Sequence, residues 1–153
     1  MRRRSKIPVD VRISCDKTQP IISPNGEAVD RRETEQYTAS GTLKKTKEGY
    51  RLEFAEDNET FTCINTYKDM VMLNRSGAMR TPFAFANDKA FNCVCSMGPI
   101  PIQMRVRTKE LKNTLSFDGG KLEIDYSVEI AGSLAENTKI SFSVSPDISI
   151  IKS

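Results

Sequence analysis

Two groups of side chains in this sequence have the chemistry of a metal or redox site. Cys93 and Cys95 are separated by one residue, which places both thiols on one side of a strand. Two sulfurs are an incomplete zinc site, and the chain has no histidine to complete it. Phe91 falls on the same side, and Phe61 likewise shares the side of Cys63. Because a free cysteine packs as a small apolar residue, we predict buried thiols that bind no metal.

Glu56, Asp57 and Glu59 form a carboxylate cluster of the kind that hard cations prefer. Their spacing is not that of a calcium-binding loop, and charges clustered at a turn are usually solvated. We therefore interpret them as a solvated hairpin tip, and we predict no metal and no cofactor. The absence of histidine also excludes Ser-His-Asp and Cys-His catalysis. With no phosphate-binding loop and no Gly-x-Ser-x-Gly elbow either, we predict no catalytic residue and expect a protein that is not an enzyme.

The charge of the chain is concentrated at its start. Of 153 residues, 23 are basic and 20 acidic, and four of the basic ones lie within residues 1–6. From Ile7 onward 19 basic residues therefore face 20 acidic ones, which argues against a nucleic-acid groove. No apolar stretch is long enough for a transmembrane helix, and none follows the basic start as an export signal requires. We expect a cytoplasmic protein with no nucleic-acid or membrane partner.

Apolar and polar residues alternate with a period of two through most of the chain, the period of strands with one buried face. Turn residues separate these runs at short intervals, and no long segment has helical spacing. The pattern predicts a disordered basic arm (1–6), one all-β domain (7–145) and a tail (146–153). Eight to ten antiparallel strands favour an up-and-down barrel, with a two-sheet sandwich as the alternative. The strands are predicted at 7–15, 34–46, 50–56, 59–67, 69–75, 79–86, 89–95, 100–117 (with an interruption), 121–131 and 138–145.

Three details of this barrel can also be predicted. The inward phase changes between Val106 and Leu111, which predicts a β-bulge near Thr108–Glu110. A two-residue turn, at Asp118-Gly119 or Gly119-Gly120, keeps Leu115 on the face of Leu122. The segment 18–26 is predicted to be a packed loop, with a lid or a docking loop as alternatives. Seven aromatic residues are expected to point inward: Tyr50, Phe54, Phe61, Phe91, Phe117, Tyr126 and Phe142.

Several motifs resemble those of a known family. They are Met72-Leu73-Asn74-Arg75-Ser76-Gly77, Phe83-Ala84-Phe85, Val106-Arg107-Thr108 with Leu111, and Gly119-Gly120-Lys121-Leu122 with Asp125-Tyr126. From about residue 49 to 144 the chain resembles the YwiB-like proteins, a bacterial family of unknown function. The resemblance implies a lipocalin-like (calycin) β-barrel, and it implies no activity or catalytic residue.

The barrel itself suggests where a ligand would bind. A barrel of this size is either filled or holds one small ligand, and the inward aromatics favour a filled interior with a modest pocket at one mouth. We predict that a small apolar or amphipathic molecule binds there. Tyr37 and Tyr126 are the candidate lining residues, and Arg75 is the candidate contact for an anionic end. The alternative is an interaction module that docks a protein partner, or a second copy, through the basic arm or the tail residues Ile148, Ile150 and Ile151.

Overall fold

The computed structural model describes residues 5–147. The rest of the predicted arm and tail, including Ile148, Ile150 and Ile151, lies outside the described residues. No helix that could cross a membrane occurs between residues 5 and 147. The described chain forms ten strands: β1 (Lys6–Ile22), β2 (Ala28–Lys45), β3 (Tyr50–Ala55), β4 (Phe61–Thr66), β5 (Val71–Ser76), β6 (Met79–Phe85), β7 (Ala90–Met97), β8 (Ile100–Asn113), β9 (Gly120–Ile130) and β10 (Ser133–Pro146).

Each strand pairs antiparallel with the strand before and after it in the chain, and β1 pairs with β10 to close the sheet. This arrangement confirms the predicted all-β, up-and-down barrel, with ten strands at the upper end of the predicted range. All hairpins that begin on an odd-numbered strand turn at the same end of the barrel, which we call the mouth. The chain enters β1 and leaves β10 at the opposite end.

The barrel interior follows from the alternation. On β9 the residues Leu122, Ile124, Tyr126 and Val128 are all buried, as predicted, while Glu123 and Asp125 alternate with them. Aromatic rings from distant strands meet across the core, with the Phe54 and Phe142 centroids 6.1 Å apart. At the end opposite the mouth, Tyr50 and Phe117 make an edge-to-face contact, with ring centroids 5.5 Å apart. Interior space is therefore largely occupied by side chains, as expected for a small barrel.

The predicted inward position of Phe61 is wrong, because its side chain lies on the outer wall and is 42% exposed. Leu52 pairs with Ile64, and Phe54 pairs with Thr62. Residues directly paired in a sheet share a face, so the buried Leu52 and Phe54 force the even-numbered residues of β4 inward. Cys63 consequently faces outward as well. Its thiol is covered by Arg51 and by Asn65, whose Nδ2 lies 3.7 Å from the sulfur.

The predicted bulge is confirmed by a register shift between Thr108 and Glu110 in the pairing of β8 with β9. Ser116 pairs with Gly119 in the turn that follows, and their backbone N–H and C=O groups bond in both directions. The turn therefore has two residues and keeps Leu115 on the face of Leu122, as predicted. Its central residues are Phe117 and Asp118, one position earlier than expected, because Gly119 and Gly120 supply the positive φ angles that lead into β9.

The predicted loop over residues 18–26 is wrong. β1 continues to Ile22 and pairs with β2 back to Ala28, so only Ser23–Glu27 form a turn. β10 accompanies β1 only as far as Thr18, and β3 accompanies β2 only from Gly41. Ile21 and Ile22 therefore lie on a long hairpin that projects beyond the mouth, which we call the ribbon (residues 15–37). Pro20 is tolerated there because the other edge of β1 has no strand partner within the described residues.

Candidate functional site

A buried carboxylate at the mouth joins three strands. Glu56 directly follows β3, and its Oε1 accepts a hydrogen bond from the Tyr37 hydroxyl of β2 at 2.8 Å. The Thr62 hydroxyl of β4 lies 3.4 Å from the same oxygen. Glu56 Oε2 accepts a charged hydrogen bond from Arg75 of β5. Both carboxylate oxygens are thus occupied by donors, which is the arrangement that a partly buried charge requires.

The alternation of the strands brings these groups together. Glu56 continues the inward series of Leu52 and Phe54, and Arg75 continues that of Val71 and Leu73. Arg75 is therefore the last inward residue of β5, and Glu56 is the first inward residue beyond β3, where the core gives way to solvent. The interpretation of Glu56 as part of a solvated tip is wrong for this reason. The Asp57 carboxylate instead accepts hydrogen bonds from the backbone N–H groups of Glu59 and Thr60, at 2.8 and 2.7 Å. These bonds stabilise the turn.

A second carboxylate lies at the mouth on β10. Glu136 Oε2 accepts a hydrogen bond from the Thr138 hydroxyl at 2.7 Å and lies 3.7 Å from the Lys17 ammonium of β1. Thr138 pairs directly with Tyr126 of β9. The Tyr126 ring packs on Phe85 and Phe83, with centroids 4.8 and 6.0 Å away. These three rings form the floor beneath the polar mouth.

In both ion pairs the acid is less exposed than the base. The Glu56 side chain is 13% exposed and that of its partner Arg75 48% exposed. Glu136 is 22% exposed and Lys17 36% exposed. The carboxylates therefore lie below the cations, and the positive groups face the solvent at the mouth. A ligand that approaches the mouth meets Arg75 and Lys17 first.

Burial and negative charge keep the hydroxyl and thiol groups at the mouth protonated. The pKa of Tyr37 is raised by burial and by its hydrogen bond to Glu56, and only the more distant Arg75 opposes this shift. Burial raises the pKa of Tyr126, and the charge of Glu136 adds to the effect. The pKa of the Cys15 thiol is raised mainly by burial, and Lys17 opposes the rise. At neutral pH these groups are hydrogen-bond donors and not nucleophiles.

The three residues predicted to line a ligand site lie at the same end of the barrel. Tyr37 and Arg75 share Glu56, and Tyr126 lies deeper, within range of the Arg75 charge. Sequence reasoning missed the two organising carboxylates, Glu56 and Glu136, although the alternation of β3 and β10 places both inward. Within residues 5–147 no three cysteine, aspartate or glutamate side chains form a group that could hold a metal ion.

The clefts found in the described chain, of about 270–510 Å³, are lined mainly by residues of the outer wall. One of them lies between β1, β9 and β10 and is lined by Asp16, Glu123 and Lys139. These side chains are solvated charges on a sheet surface. We place the candidate site at the mouth because buried charges and neutral donors converge there, whereas a groove between exposed side chains carries no such organisation.

Cys93 and Cys95 lie away from this cluster, on the inward face of β7. The Cys95 sulfur contacts the Met104 sulfur at 3.5 Å, which is consistent with packing as apolar groups. Burial, with the neighbouring Cys95, raises the pKa of Cys93 to about 12.

We expect Cys93 to be almost inert to alkylation in the folded protein. At pH 8 a thiol with this pKa is ionised in about one molecule in ten thousand, against about one in four for an ordinary cysteine. Labelling with iodoacetamide, followed by peptide mass spectrometry, should be at least about a hundredfold slower at Cys93 in buffer than in urea. Equal rates in the two solvents would contradict the raised pKa of the half-buried Cys93 thiol. All four thiols should titrate in urea.

The family model for a domain of unknown function, DUF1934, matches residues 21–142. The chain belongs to the DUF1934 family. Among solved structures, the ywiB protein from Bacillus subtilis is similar to this DUF1934 chain, with a TM-score of 0.75 and 14% sequence identity over 94% of each chain. At that identity the similarity supports the fold alone. None of the curated proteins compared matches this DUF1934 chain. The resemblance found in the sequence motifs is thereby confirmed.

Proposed function

We propose that this protein is a non-enzymatic barrel that binds a small amphipathic molecule at its mouth. The anionic end of the molecule contacts Arg75 and Lys17, and its apolar part lies against the ring of Tyr37. The observation that carries the proposal is that each cation at the mouth is more exposed than the carboxylate with which it pairs. An uncovered positive group held in place by a buried acid is a preformed contact for an anion.

Arg75 has donors to spare for such a ligand. Its contact with Glu56 uses one terminal nitrogen, and a guanidinium carries five N–H groups. Glu56 also restricts the orientation of the arginine, which lowers the entropy cost of binding. The aromatic floor of Tyr126, Phe83 and Phe85 fills the barrel beneath, so the proposed ligand is small and lies at the rim.

The same geometry favours binding over catalysis. Both carboxylates at the mouth are engaged by hydroxyl and cationic donors, and the chain contains no histidine. The raised pKa values of Tyr37, Tyr126 and Cys15 leave each as a protonated group at neutral pH. A general base or an activated nucleophile would need the opposite shift for a tyrosine or a thiol.

We expect decanoate, as a probe with one carboxylate and a short apolar chain, to raise the melting temperature of the protein. Arg75→Ala should require about tenfold more decanoate for the same shift, because one charged hydrogen bond to the ligand is lost. Arg80→Ala is the matched control, since Arg80 lies on the adjacent strand and faces the outer wall. Circular dichroism should show that both variants are folded.

Native mass spectrometry of the freshly isolated protein tests the same proposal without a chosen probe. We expect a small-molecule adduct on the wild type and on Arg80→Ala, and its loss from Arg75→Ala. A bare wild-type mass together with no thermal shift in decanoate would refute the proposal. An adduct that survives in Arg75→Ala would place the ligand elsewhere.

A further inference from the structure

One edge of the ribbon lacks a strand partner. β2 pairs with β1 from Ala28 to Lys44, but β3 joins its other edge only at Gly41. Between residues 5 and 147 no other strand pairs with the outer edge of β2 before Gly41. The nine residues Ala28–Gln36 are all exposed, on both faces of the sheet. Their backbone therefore presents a row of N–H and C=O groups to solvent.

A projecting edge of this kind is a marginal structure by itself. Beyond Thr18 the ribbon has only two strands, and an isolated two-stranded hairpin is at best marginally stable in water. Ile22 at its tip is 71% exposed, and Val29 is 41% exposed. Addition of a strand along Ala28–Gln36 would satisfy the backbone groups and stiffen the hairpin.

The charge order of this edge is complementary to itself. The exposed stretch is centred on Arg32, so an antiparallel copy related by a two-fold axis at Arg32 pairs residue 31 with residue 33 of the second copy. Arg31 then lies opposite Glu33 twice, and each arginine also contacts the Glu33 of its own chain at 2.9 Å. The four groups form a square of alternating charge, which stabilises directly opposed residues on a sheet face.

The only like charges that this register places directly opposite each other are the two Arg32 side chains on the axis. Each is already held by Asp16 of β1, through hydrogen bonds of 3.0 and 2.7 Å to the two carboxylate oxygens. Those bonds offset the repulsion across the axis. The remaining pairs join Ala28 to Gln36, Val29 to Glu35 and Asp30 to Thr34, none of which is a pair of like charges. The register stops at Gln36, before Tyr37, which is already bonded to Glu56.

We propose that two copies of this protein associate through antiparallel pairing of Ala28–Gln36, with the two-fold axis at Arg32. The interface joins two barrels through one continuous sheet and leaves both mouths outside the paired segment. It is independent of the proposed ligand site. An interface of one strand pair is small, so the association is reversible and depends on protein concentration.

Charge-exchange variants test both the edge and the register. Sedimentation velocity over roughly a hundredfold range of concentration should show a monomer–dimer equilibrium for the wild type. Arg31→Glu and Glu33→Arg should each raise the dimer dissociation constant at least about tenfold, because each variant places two like-charged pairs across the interface. Arg51→Glu is the matched control: Arg51 is an exposed strand arginine with its ion-pair partner, Glu53, on the same strand, and β3 pairs there with both β2 and β4.

Restoring dimerisation with a second charge exchange distinguishes a disrupted interface from a variant that fails to fold. The double variant R31E/E33R restores the square with its signs exchanged, and a mixture of the two single variants restores it in a heterodimer. We expect both to dimerise as the wild type does. Amide hydrogen exchange should slow within residues 28–36 as the wild-type concentration rises. A wild type that stays monomeric, an unaffected Arg31→Glu, failure of both rescues, or protection at another strand would each overturn the proposal.

Discussion

Replacement of Gly120 by alanine is expected to lower the free energy of unfolding by about 3 kcal/mol or more. Gly120 begins β9 with a φ of +125°, which side chains strongly disfavour. A Cβ atom at this position would lie 2.1 Å from the carbonyl oxygen of Thr114 and 3.1 Å from Cα of Leu115. Both contacts are with backbone, so the two-residue turn between β8 and β9 must distort to admit the methyl group.

Gly98→Ala is the matched control for this variant. Gly98 also has a positive φ, of +59°, but a Cβ there meets no heavy atom within 4 Å. Gly98→Ala should therefore lower the free energy of unfolding by only about 1 kcal/mol, the cost of placing alanine in the left-handed conformation. Urea unfolding monitored by circular dichroism measures both values. Equal losses in the two variants would show that backbone conformation, and not the contact with Thr114, limits residue 120.

Truncation of Phe85 to alanine is expected to cost about 3 to 5 kcal/mol of unfolding free energy. The ring is fully buried and packs against Phe83 and Tyr126, with centroids 6.0 and 4.8 Å away. Its removal leaves a cavity directly beneath Tyr126, at the floor of the mouth. We therefore also expect a change in the near-ultraviolet circular dichroism of the tyrosines.

The same substitution at Phe61 serves as the control, because its ring lies on the outer wall. Phe61→Ala should change the unfolding free energy by less than about 1 kcal/mol. A large loss of unfolding free energy in Phe61→Ala would contradict the outward position of odd-numbered residues on β4. A small loss at Phe85 would mean that the barrel collapses around the cavity.

The fold was predictable where the alternation is unambiguous. On β9 four apolar residues alternate with charged ones, so only one face can be buried, and the phase change on β8 fixed the bulge. β4 lacks this contrast, because Phe61 and Cys63 on one face compete with Ile64 between two threonines on the other. The pairing of β4 with Leu52 and Phe54 of β3 decides which of its faces is buried. That pairing is a tertiary contact, which the sequence of β4 alone does not specify.

The ribbon was not predictable for a similar reason. Residues 18–33, which precede the predicted strand 34–46, are mostly polar and contain Pro20 and Pro24, a composition that is typical of loops. Their strand conformation is imposed by the continuation of the β1–β2 register and not by burial. Tyr37 and Tyr126 could be proposed as residues of the mouth from the inward–outward alternation of their strands alone. The inward position of Glu56 was not predictable because a carboxylate in a turn is usually solvated, whereas here it continues the inward series of Leu52 and Phe54 just beyond β3.

Closure of the barrel by the first and last strands has a consequence for synthesis. Val9 pairs with Pro146, so β1 obtains its second partner only when nearly the whole chain is available. At ordinary translation rates, this edge of β1 stays open for on the order of ten seconds. Such contacts between distant parts of a chain also make folding slow. Asp10 and Arg12 are exposed on β1 and place charges along the edge that stays unpaired until β10 is synthesised. Charged residues on an unpaired strand edge discourage association between incomplete chains.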